Sequence, residues 1–309
     1  MQQNNSNLVS VIIPTHNRAE YLIETINTVL SQTYKNLEII VINDYSSDKT
    51  LEILNSLNIQ NLHIISNKEN LGAPASRNIG INSCKGSYIA FIDDDDLWYP
   101  NKIELQLNQL IQKPEIDCIF CEHKYILEGR SFYPDIIDYN NSLGKTIITR
   151  SLGSFSLPLI RKSCIDEIGL LDINFESCQD WDYWIRISQK FNIDKLPQCL
   201  VERNIGNDQI TSNIRKKING REYLLNKHSS LISQYPSIKN IHLNRLGSLN
   251  VLDGNYTAAR DYFIKAFKTY PYSPKTIIHL MLSYISTKFH KSLIQKYGIH
   301  RYETVTLYH

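Results

Sequence analysis

The sequence predicts an α/β fold with a mostly parallel central sheet, followed by a smaller all-helical region at the C-terminus. Strand-like apolar runs alternate with helix-like patterns through the first half, and from about residue 215 onward the pattern is helical only. Such alternation is typical of parallel sheets with helices on both faces. In addition, polar side chains follow several predicted strands, at the edge where open parallel sheets bind ligands.

Four short apolar runs are predicted to be strands, and Pro14 is expected to end the first of them. They are residues 8–13, 37–42, 62–65 and 88–92. Between and after these strands, apolar residues recur every three or four positions, as in amphipathic helices. These helical patterns cover residues 19–31, 49–57, 75–84 and a stretch that begins after Pro100 and runs to about residue 112.

Four consecutive aspartates, Asp93 to Asp96, follow the fourth predicted strand. Like charges side by side repel, so fold stability alone does not account for them. A hard cation such as Mg²⁺ or Mn²⁺ would offset the repulsion, because these ions take carboxylate oxygens and are often shared with substrate phosphates. The alternative is a solvated acidic turn. Since the first two strands also end in polar residues, at 15–18 and 43–44, we favour a binding site.

Two further side chains fit a nucleotide site. Asp44 directly follows the second strand, where its carboxylate could accept hydrogen bonds from a base or ribose, or could cap the helix that begins near Asp48. Arg77 lies early in the third predicted helix and could pair with phosphate, with an aspartate of the tetrad, or with solvent. No glycine-rich phosphate loop is present, so a metal would carry most of the phosphate recognition.

In combination and in order, these segments resemble the family 2 glycosyltransferases with the GT-A fold. The resemblance covers residues 8–212 and is carried by VSVIIPTHNR at 9–18, IND at 42–44, the stretch 70–80 and FIDDDDLW at 91–98. It implies a GT-A type nucleotide-binding sandwich. It also implies a divalent metal, Mn²⁺ or Mg²⁺, and a nucleoside-diphosphate sugar as the donor, with a UDP-sugar favoured.

The resemblance assigns site residues by position. Those implied to contact the nucleotide sugar are Pro14, Thr15, Asn17, Asp44, Arg77, Asp93 and Asp94. Asp93, Asp94 and Asp95 stand at the Asp-x-Asp element, with Asp95 as the metal ligand. Four aspartates in a row leave that register open by one residue, toward Asp96.

A second carboxylate lies in the segment 176–186, which has the periodicity of a helix with Trp181 on its apolar face. Asp180 is at the start of this helix, where the dipole favours an ionised carboxylate. Asp182 and Arg186 are four residues apart and are expected to form an exposed pair. Taken alone, Asp180 could simply be a first-turn acid.

The same segment resembles the family's Glu-Asp motif, in which the aspartate is the general base. This implies Asp180 as the base, with Gln179, at the position of the family's glutamate, and Trp181 on the acceptor side. Residues 153–169, with Arg161, and residues 203–211 also resemble the acceptor side. A histidine is common in the second of these loops, where Gly206-Asn207-Asp208 stands here, and we assign it no catalytic role.

These observations predict an inverting hexosyl- or N-acetylhexosaminyltransferase that acts on a glycan or lipid-linked saccharide in bacterial surface polysaccharide or glycoconjugate assembly. One alternative is a non-catalytic module that binds nucleotide sugars or proteins. A weaker alternative is a nucleotidyltransferase, since related sheets with paired carboxylates serve that chemistry too.

The chain is predicted to divide near residue 214. A catalytic domain at 1–214 would hold a nucleotide-sugar half (8–112) and an acceptor half (113–214), and a helical region would cover 215–309. Within it, residues 240–273 resemble one tetratricopeptide repeat, either packed as a helical hairpin or binding a protein. Residues 277–285 are too short to span a bilayer. They predict a buried packing helix or, with nearby lysines, an interfacial helix in peripheral membrane contact.

Composition narrows the function classes. The formal net charge of +2 argues against a nucleic-acid partner. The six scattered cysteines are expected to be buried free thiols, and Cys118 and Cys121 lie in a strand-like run without the second ligand pair of a zinc site. With no signal-like N-terminus and no long apolar stretch, we expect a cytoplasmic protein, free or peripheral on the inner face of the membrane.

Overall fold

The computed structural model describes residues 7–127, 129–134, 143–204 and 213–298. The chain forms two compact units. The first consists of Met1–Ser131, Gly153–Ile173 and Tyr183–Ile205, and the second of Phe132–Leu152, Asn174–Asp182 and Gly206–His309. The single boundary near residue 214 remains a prediction.

The first unit is built on a nine-stranded sheet. The strands are β1 (Val9–Thr15), β2 (Leu37–Asn43), β3 (Leu62–Ser66), β4 (Tyr88–Phe91), β5 (Asp96–Trp98), β6 (Cys118–Leu127), β7 (Arg130–Phe132), β8 (Leu159–Arg161) and β9 (Ile193–Asn204). Their order is β3-β2-β1-β4-β8-β6-β9-β5, with β7 beside β6. The first four strands pair in parallel, as does β6 with β9, whereas β8 and β5 pair antiparallel with their neighbours. The predicted α/β fold is therefore confirmed, with antiparallel strands in its second half.

Helices follow the strands as predicted, within a few residues. In the first unit the predicted helices are α1 (Ala19–Leu30), α2 (Thr50–Ser56), α3 (Ala73–Ser83) and α4 (Lys102–Gln112), and α6 (Lys162–Ile168) is an additional helix that was not predicted. Every residue of β1, β2 and β4 is buried, as expected for strands covered on both faces. Helix α3 lies close to β1 because Gly80 has no side chain, and a methyl group there would overlap Ile12. This close approach positions the first turns of α3 beside the ends of the strands.

Pro14 lies inside β1, so the expectation that it ends the strand is wrong. Pairing with β2 continues to Thr15, whereas pairing with β4 ends at Ile12 and Phe91. The carbonyl of Ile12 faces β4 and accepts a hydrogen bond there. Pro14, two residues on, faces the same side, where β4 has ended, and its missing N–H costs no ladder bond.

The second unit is helical in its C-terminal part. Its helices are α5 (Leu143–Thr149), α8 (Ile214–Lys227), α9 (Ser229–Ile232), α10 (Pro236–Asp253), α11 (Tyr256–Thr269), α12 (Pro274–Ile285) and α13 (Thr287–Leu293). Helix α7 (Gln179–Ser188) contributes its first turn to this unit and the remainder to the other. Helices α10 and α11 form a hairpin at Gly254, whose left-handed φ of 87° ends α10. The likeness of residues 240–273 to a tetratricopeptide repeat remains a prediction.

Helix α12 contains the apolar segment predicted at 277–285. It buries Thr276, His279 and Ser283. Several of its large apolar side chains are instead exposed: Ile277, Ile278, Met281, Tyr284 and Ile285. Among the described residues, no helix has the length and apolar character needed to cross a bilayer.

Candidate functional site

The strand ends of the first unit bring the predicted donor residues together. Strands β1, β2 and β4 are parallel neighbours, so their carboxyl ends lie at one edge of the sheet. Thr15 ends β1, Asp44 follows β2, and Asp93 lies two residues after the end of β4. We call the residues at this edge, namely 14–17, 44, 77 and 93–95, the strand-end edge.

Asp44 anchors the loop that leads into α3. Its carboxylate is buried and accepts hydrogen bonds from the backbone N–H groups of Leu71 (2.9 Å) and Gly72 (2.7 Å) and from the Asn67 amide (2.7 Å). The alternative in which Asp44 caps α2 is wrong, because Asp48 accepts from the Thr50 N–H at the start of that helix. The carboxylate therefore fixes the turn that positions α3.

Asn17 holds two loops of the strand-end edge together. Its side-chain oxygen accepts from the backbone N–H of Ser47 at 2.7 Å. The neighbouring His16 lies 2.7 Å from the Asp44 carbonyl through Nδ1, and its Nε2 lies 3.1 Å from the Asn70 amide nitrogen. These contacts connect the loops after β1, β2 and β3 into one rim.

Arg77 is buried at this edge on the second turn of α3. Its Nη2 donates to the Asp93 carboxylate at 2.5 Å, and its guanidinium lies 4.5 Å from the centre of the Phe155 ring. Its Nε and Nη1 are buried and make no hydrogen bond within the described part of the chain. Buried N–H groups usually have partners, so this guanidinium has donors left for a ligand.

The four aspartates have different environments. Asp96 lies in β5, is buried, and contacts the Arg203 Nε at 3.4 Å. Burial raises the pKa of Asp96, and the Arg203 guanidinium opposes that change. Asp93, Asp94 and Asp95 are only partly buried. Asp96 therefore lies in the interior, and Asp93, Asp94 and Asp95 remain the candidates for the Asp-x-Asp element.

Asp94 lies beside the end of β1. Burial raises the pKa of its carboxyl to about 7; the neighbouring Asp95 and Asp93 carboxylates add to this, whereas Thr15 lowers it. The Thr15 hydroxyl is itself buried and meets no hydrogen-bond partner of good geometry among the residues described. A carboxyl crowded by like charges is stabilised in its ionised form when a cation binds nearby.

A divalent cation fits this edge only with help from a ligand. The described residues include no group of three or more His, Cys, Asp or Glu side chains gathered around one point. Mg²⁺ commonly binds one or two carboxylates together with substrate phosphates. Partly buried carboxylates beside unsatisfied Arg77 donors match that arrangement, so the residues present fit a metal bridged to a diphosphate.

Backbone strain is concentrated next to candidate residues. In the described part of the chain, three residues other than glycine have a positive φ: Asn17 (54°), Tyr45 (59°) and Cys178 (66°). Tyr45 follows Asp44, and Cys178 precedes Asp180 by two residues. Such conformations cost free energy and are found preferentially at functional sites.

Asp180 belongs to the second unit, in the first turn of α7. It is partly buried, and its Oδ1 accepts from the backbone N–H of Trp181 at 2.7 Å. Gln179 begins the helix beside it. Trp181 is buried, donates from Nε1 to the Ile147 carbonyl at 2.5 Å, and lies 4.9 Å from the Arg221 guanidinium. Its ring thus packs within this unit.

The expectation that Asp182 and Arg186 form an exposed pair is wrong, because Asp182 is buried. Asp182 is 1 % exposed, and Lys227 (3.0 Å) and His228 (2.8 Å) contact its carboxylate. Arg186 donates to two backbone carbonyls, those of Ile168 and Leu170. Helical spacing alone could not reveal partners supplied by α8 and the residue after it.

Two segments were predicted to form the acceptor side. In residues 153–169, Arg161 donates to the carbonyls of Ile116 and Leu110, which gives it a structural contact. Residues 205–212, with Gly206-Asn207-Asp208, lie outside the described residues. The six cysteines are free, as expected, but only Cys118, Cys121 and Cys164 are fully buried, and the other three are partly buried. Burial raises the pKa of Cys121 to about 12, consistent with an unreactive structural thiol.

Three contributors to the strand-end edge were not predicted. Ser156 accepts the Asp93 N–H at 3.0 Å, Asn204 donates to the Asp95 carbonyl at 2.8 Å, and Phe155 packs under Arg77. Each comes from a distant segment that the resemblance assigned to the acceptor side, and no local pattern places it beside the aspartates.

Comparisons with known proteins agree with this architecture. The family model for glycosyl transferase family 2 matches residues 10–166, about half of the chain. The putative teichuronic acid biosynthesis glycosyltransferase TuaG of Bacillus subtilis is 30 % identical over 218 residues, which cover 67 % of this chain and 82 % of that protein.

Two solved structures share the fold. S. aureus TarS 1-349 in complex with UDP-GlcNAc superposes with a TM-score of 0.60 at 18 % identity, covering 94 % of this chain and 92 % of that one. The mannosyltransferase PcManGT from Pyrobaculum calidifontis, in complex with GDP-Man and Mn²⁺, gives 0.58 at 16 % identity, with 92 % and 83 % covered. The family match and the TuaG similarity show that the chain belongs to glycosyl transferase family 2.

Proposed function

We propose that this glycosyltransferase is inverting and metal-dependent, and that it transfers a hexosyl or N-acetylhexosaminyl group from a nucleoside-diphosphate sugar to a saccharide hydroxyl. The observation that carries the proposal is the convergence of partly buried carboxylates, unsatisfied Arg77 donors and the Thr15 hydroxyl at one sheet edge. A diphosphate with its cation would satisfy all three groups.

The strand-end edge binds the donor. Asn17 and Asp44 stabilise the loops that receive the nucleoside, with Pro14 and Thr15 ending the strand beneath it. Asp93 and Asp94 contact the nucleotide sugar, and Asp95 is the metal ligand. Arg77 donates to the diphosphate from the N–H groups for which no described residue is an acceptor. When bound, Mn²⁺ or Mg²⁺ offsets the negative charge that develops on the departing phosphate.

Asp180 is the general base. It removes the proton from the acceptor hydroxyl as the hydroxyl oxygen forms its bond to the anomeric carbon. The bond from that carbon to the phosphate oxygen breaks, and its electron pair leaves with the nucleoside diphosphate. Attack from the face opposite the leaving group inverts the anomeric centre. The start of α7 favours the ionised carboxylate that this role requires.

The relatives support a class of donor and a biological setting. TarS 1-349 has been solved with UDP-GlcNAc and PcManGT with GDP-Man and Mn²⁺, which supports a nucleotide-sugar donor and a divalent cation. TuaG is named as a putative teichuronic acid biosynthesis glycosyltransferase, which supports a role for this chain in cell-surface polysaccharide assembly. TarS 1-349 has been solved with both UDP and UDP-GlcNAc, and we propose a UDP-sugar as the donor.

The test is Asp180→Asn, with Asp261→Asn as a matched control on the exposed face of α11. Asp180→Asn should lower sugar transfer by about 10²–10⁴-fold, the contribution typical of a positioned base. Its affinity for UDP with Mn²⁺ should be unchanged, and the control should transfer at the wild-type rate. Transfer by Asp180→Asn at the wild-type rate would contradict the assignment.

The product separates the proposal from its rivals. Release of nucleoside diphosphate during turnover is expected of a glycosyltransferase. Release of pyrophosphate would instead identify a nucleotidyltransferase. Binding of UDP-sugars with neither transfer nor hydrolysis across a panel of saccharide acceptors would favour a non-catalytic module.

A further inference from the structure

A cavity of about 530 Å³ in the second unit is lined by positive charge. Helices α5, α8 and α10 border it, together with Tyr235 and the start of α12. Its cationic lining residues are Lys145, Arg150, Arg221, Arg245 and Lys275. No aspartate or glutamate is found among the described residues that line it. We call this space the basic cavity.

The surroundings of the basic cavity disfavour the charged forms of two of its cations. Partial burial, and then the neighbouring Arg245, lower the pKa of Lys275. Burial lowers the pKa of Arg221. Gathering like charges where solvent is partly excluded costs free energy, and a bound anion offsets that cost. The electrostatics of the cavity therefore favour an anionic ligand.

Two of its guanidinium groups are held in place. Arg221 is 3 % exposed and lies 4.9 Å from the centre of the Trp181 ring, on which His242 also stacks at 5.3 Å. Arg245 donates from Nη1 to the Thr149 carbonyl at 3.0 Å. Because these side chains are already ordered, little side-chain entropy is lost when an anion binds.

The cavity also offers a hydrogen-bond acceptor. Asn244 lines it, and its amide nitrogen donates to the Asn240 carbonyl (2.9 Å) and to Thr276 Oγ1 (2.7 Å), which fixes the orientation of the amide. The Asn244 Oδ1 is buried and has no partner within the described part of the chain. A sugar hydroxyl can donate a hydrogen bond to this oxygen.

The basic cavity lies near the proposed base within the same unit. Trp181 directly follows Asp180 on α7, and the ring of Trp181 packs against Arg221, which lines the cavity. We propose that the basic cavity binds the anionic group of the acceptor, so that the substrate is a phosphate- or carboxylate-bearing saccharide. This inference rests on the proposed function, because it identifies the class of acceptor for that reaction.

The experiment is calorimetric titration of the full chain with two anionic sugars, glucose 6-phosphate and glucuronate. Glucose is the uncharged control, and inorganic phosphate is the control anion that lacks a sugar. At least one anionic sugar should bind, more weakly as salt is raised, and glucose should not. The two sugars distinguish phosphate from carboxylate. Inorganic phosphate binding as tightly as both sugars would overturn the assignment to a saccharide.

Charge variants localise the binding. Lys145→Gln and Lys275→Gln remove cations whose side chains are exposed at the cavity rim, so the core is not disturbed. Each substitution should lower the affinity for the anionic sugar by about tenfold, the equivalent of one charge-assisted hydrogen bond. Lys268→Gln, an exposed lysine of α11 outside the cavity, is the matched control and should bind like the wild type. Wild-type affinity for the anionic sugar in both rim variants would overturn the proposal.

A parallel titration with UDP and Mn²⁺ separates the two proposals. If UDP binds and no anionic sugar does, the basic cavity is not an acceptor site and the proposed function stands. If an anionic sugar binds in the cavity and UDP does not, the proposed donor chemistry fails instead.

Discussion

The strand-end edge and the basic cavity are opposite in charge and in construction. The edge gathers carboxylates where parallel strands stop, so its members follow apolar runs directly in the sequence. The cavity gathers cations from helices α5, α8, α10 and α12, whose residues are far apart in the chain. The difference teaches that a site placed by sheet topology leaves a local sequence pattern, whereas a site placed by helix packing leaves almost none.

The largest expected effect on ligand binding is at the strand-end edge. Asp95→Asn should weaken Mn²⁺-dependent UDP binding by at least ~100-fold, more than the ~10–100-fold loss caused by removing indirect partners of a metal. The control is Asp166→Asn, an exposed acid on α6 that pairs with Lys162 at 2.6 Å. Calorimetry with and without a chelator measures the effect. Wild-type affinity for UDP in Asp95→Asn would remove the metal role from this residue.

The sequence predicted the strand-end edge because Asp44 and Asp93 follow apolar runs whose parallel pairing could be inferred. It could not predict Ser156 on the Asp93 N–H, which comes from 63 residues away. Pro14 was misjudged for a related reason, since a proline ends a strand only if the missing N–H faces a neighbour. That depends on where β4 stops, which is a property of the sheet.

Prediction failed more completely in the second unit. Within any one of the helices α5, α8 and α10, the lysines and arginines have the pattern of a solvent-exposed face. Asp182 was expected to be exposed because its spacing to Arg186 suits a surface pair, yet Lys227 and His228 enclose it. Side chains that meet only through helix packing have no signature within a single helix.

Packing of the helical unit gives the next largest effect. A methyl group at Gly247 of α10 would lie 2.5 Å from the Phe263 ring, which itself stacks on His279 at 5.0 Å. Gly247→Ala should therefore lower the free energy of unfolding by ~1–3 kcal/mol through overpacking. Denaturant titration followed by circular dichroism measures this loss.

The matched control for Gly247→Ala is Gly144→Ala on α5. Space around Gly144 is open, with nothing within 4 Å of an added methyl group. Alanine suits a helix better than glycine by roughly 0.5–1 kcal/mol, so this control should be neutral or slightly stabilising. Similar losses in both variants would mean that Gly247 is not a close contact between α10 and α11.

Acid should destabilise the protein through buried neutral histidines. His242 lies 2.7 Å from the Ile148 carbonyl through Nε2, and its Nδ1 has no partner among the described residues, so a second proton there is unsatisfied. Burial lowers the pKa of His242 to about 3. The unfolded chain binds this proton below about pH 6.5. Stability should then fall as pH drops from about 6.5 toward 3, by up to ~1.4 kcal/mol per pH unit for this histidine.

His242→Gln tests that pH dependence. Between pH 6 and 4, the slope of unfolding free energy against pH should be smaller in the variant by the contribution of one proton, about 1.4 kcal/mol per pH unit. The slope is the readout, because the substitution also alters packing on Trp181 and so lowers stability at every pH. His63→Gln, on the exposed side of β3, should keep the wild-type slope. An unchanged slope in His242→Gln would show that the native state takes up this proton as readily as the unfolded chain.

The smallest effect concerns the turn between α10 and α11. Asn255 caps α11, since its side-chain oxygen accepts from the Ala258 N–H at 3.2 Å. Asn255→Ala should cost about 1 kcal/mol of unfolding free energy, as is usual for a lost cap. Asn255→Asp keeps an accepting oxygen at the positive end of the helix, so it should retain most of the wild-type stability. If alanine and aspartate are equally destabilising, the left-handed Gly254, and not the cap, determines how this hairpin turns.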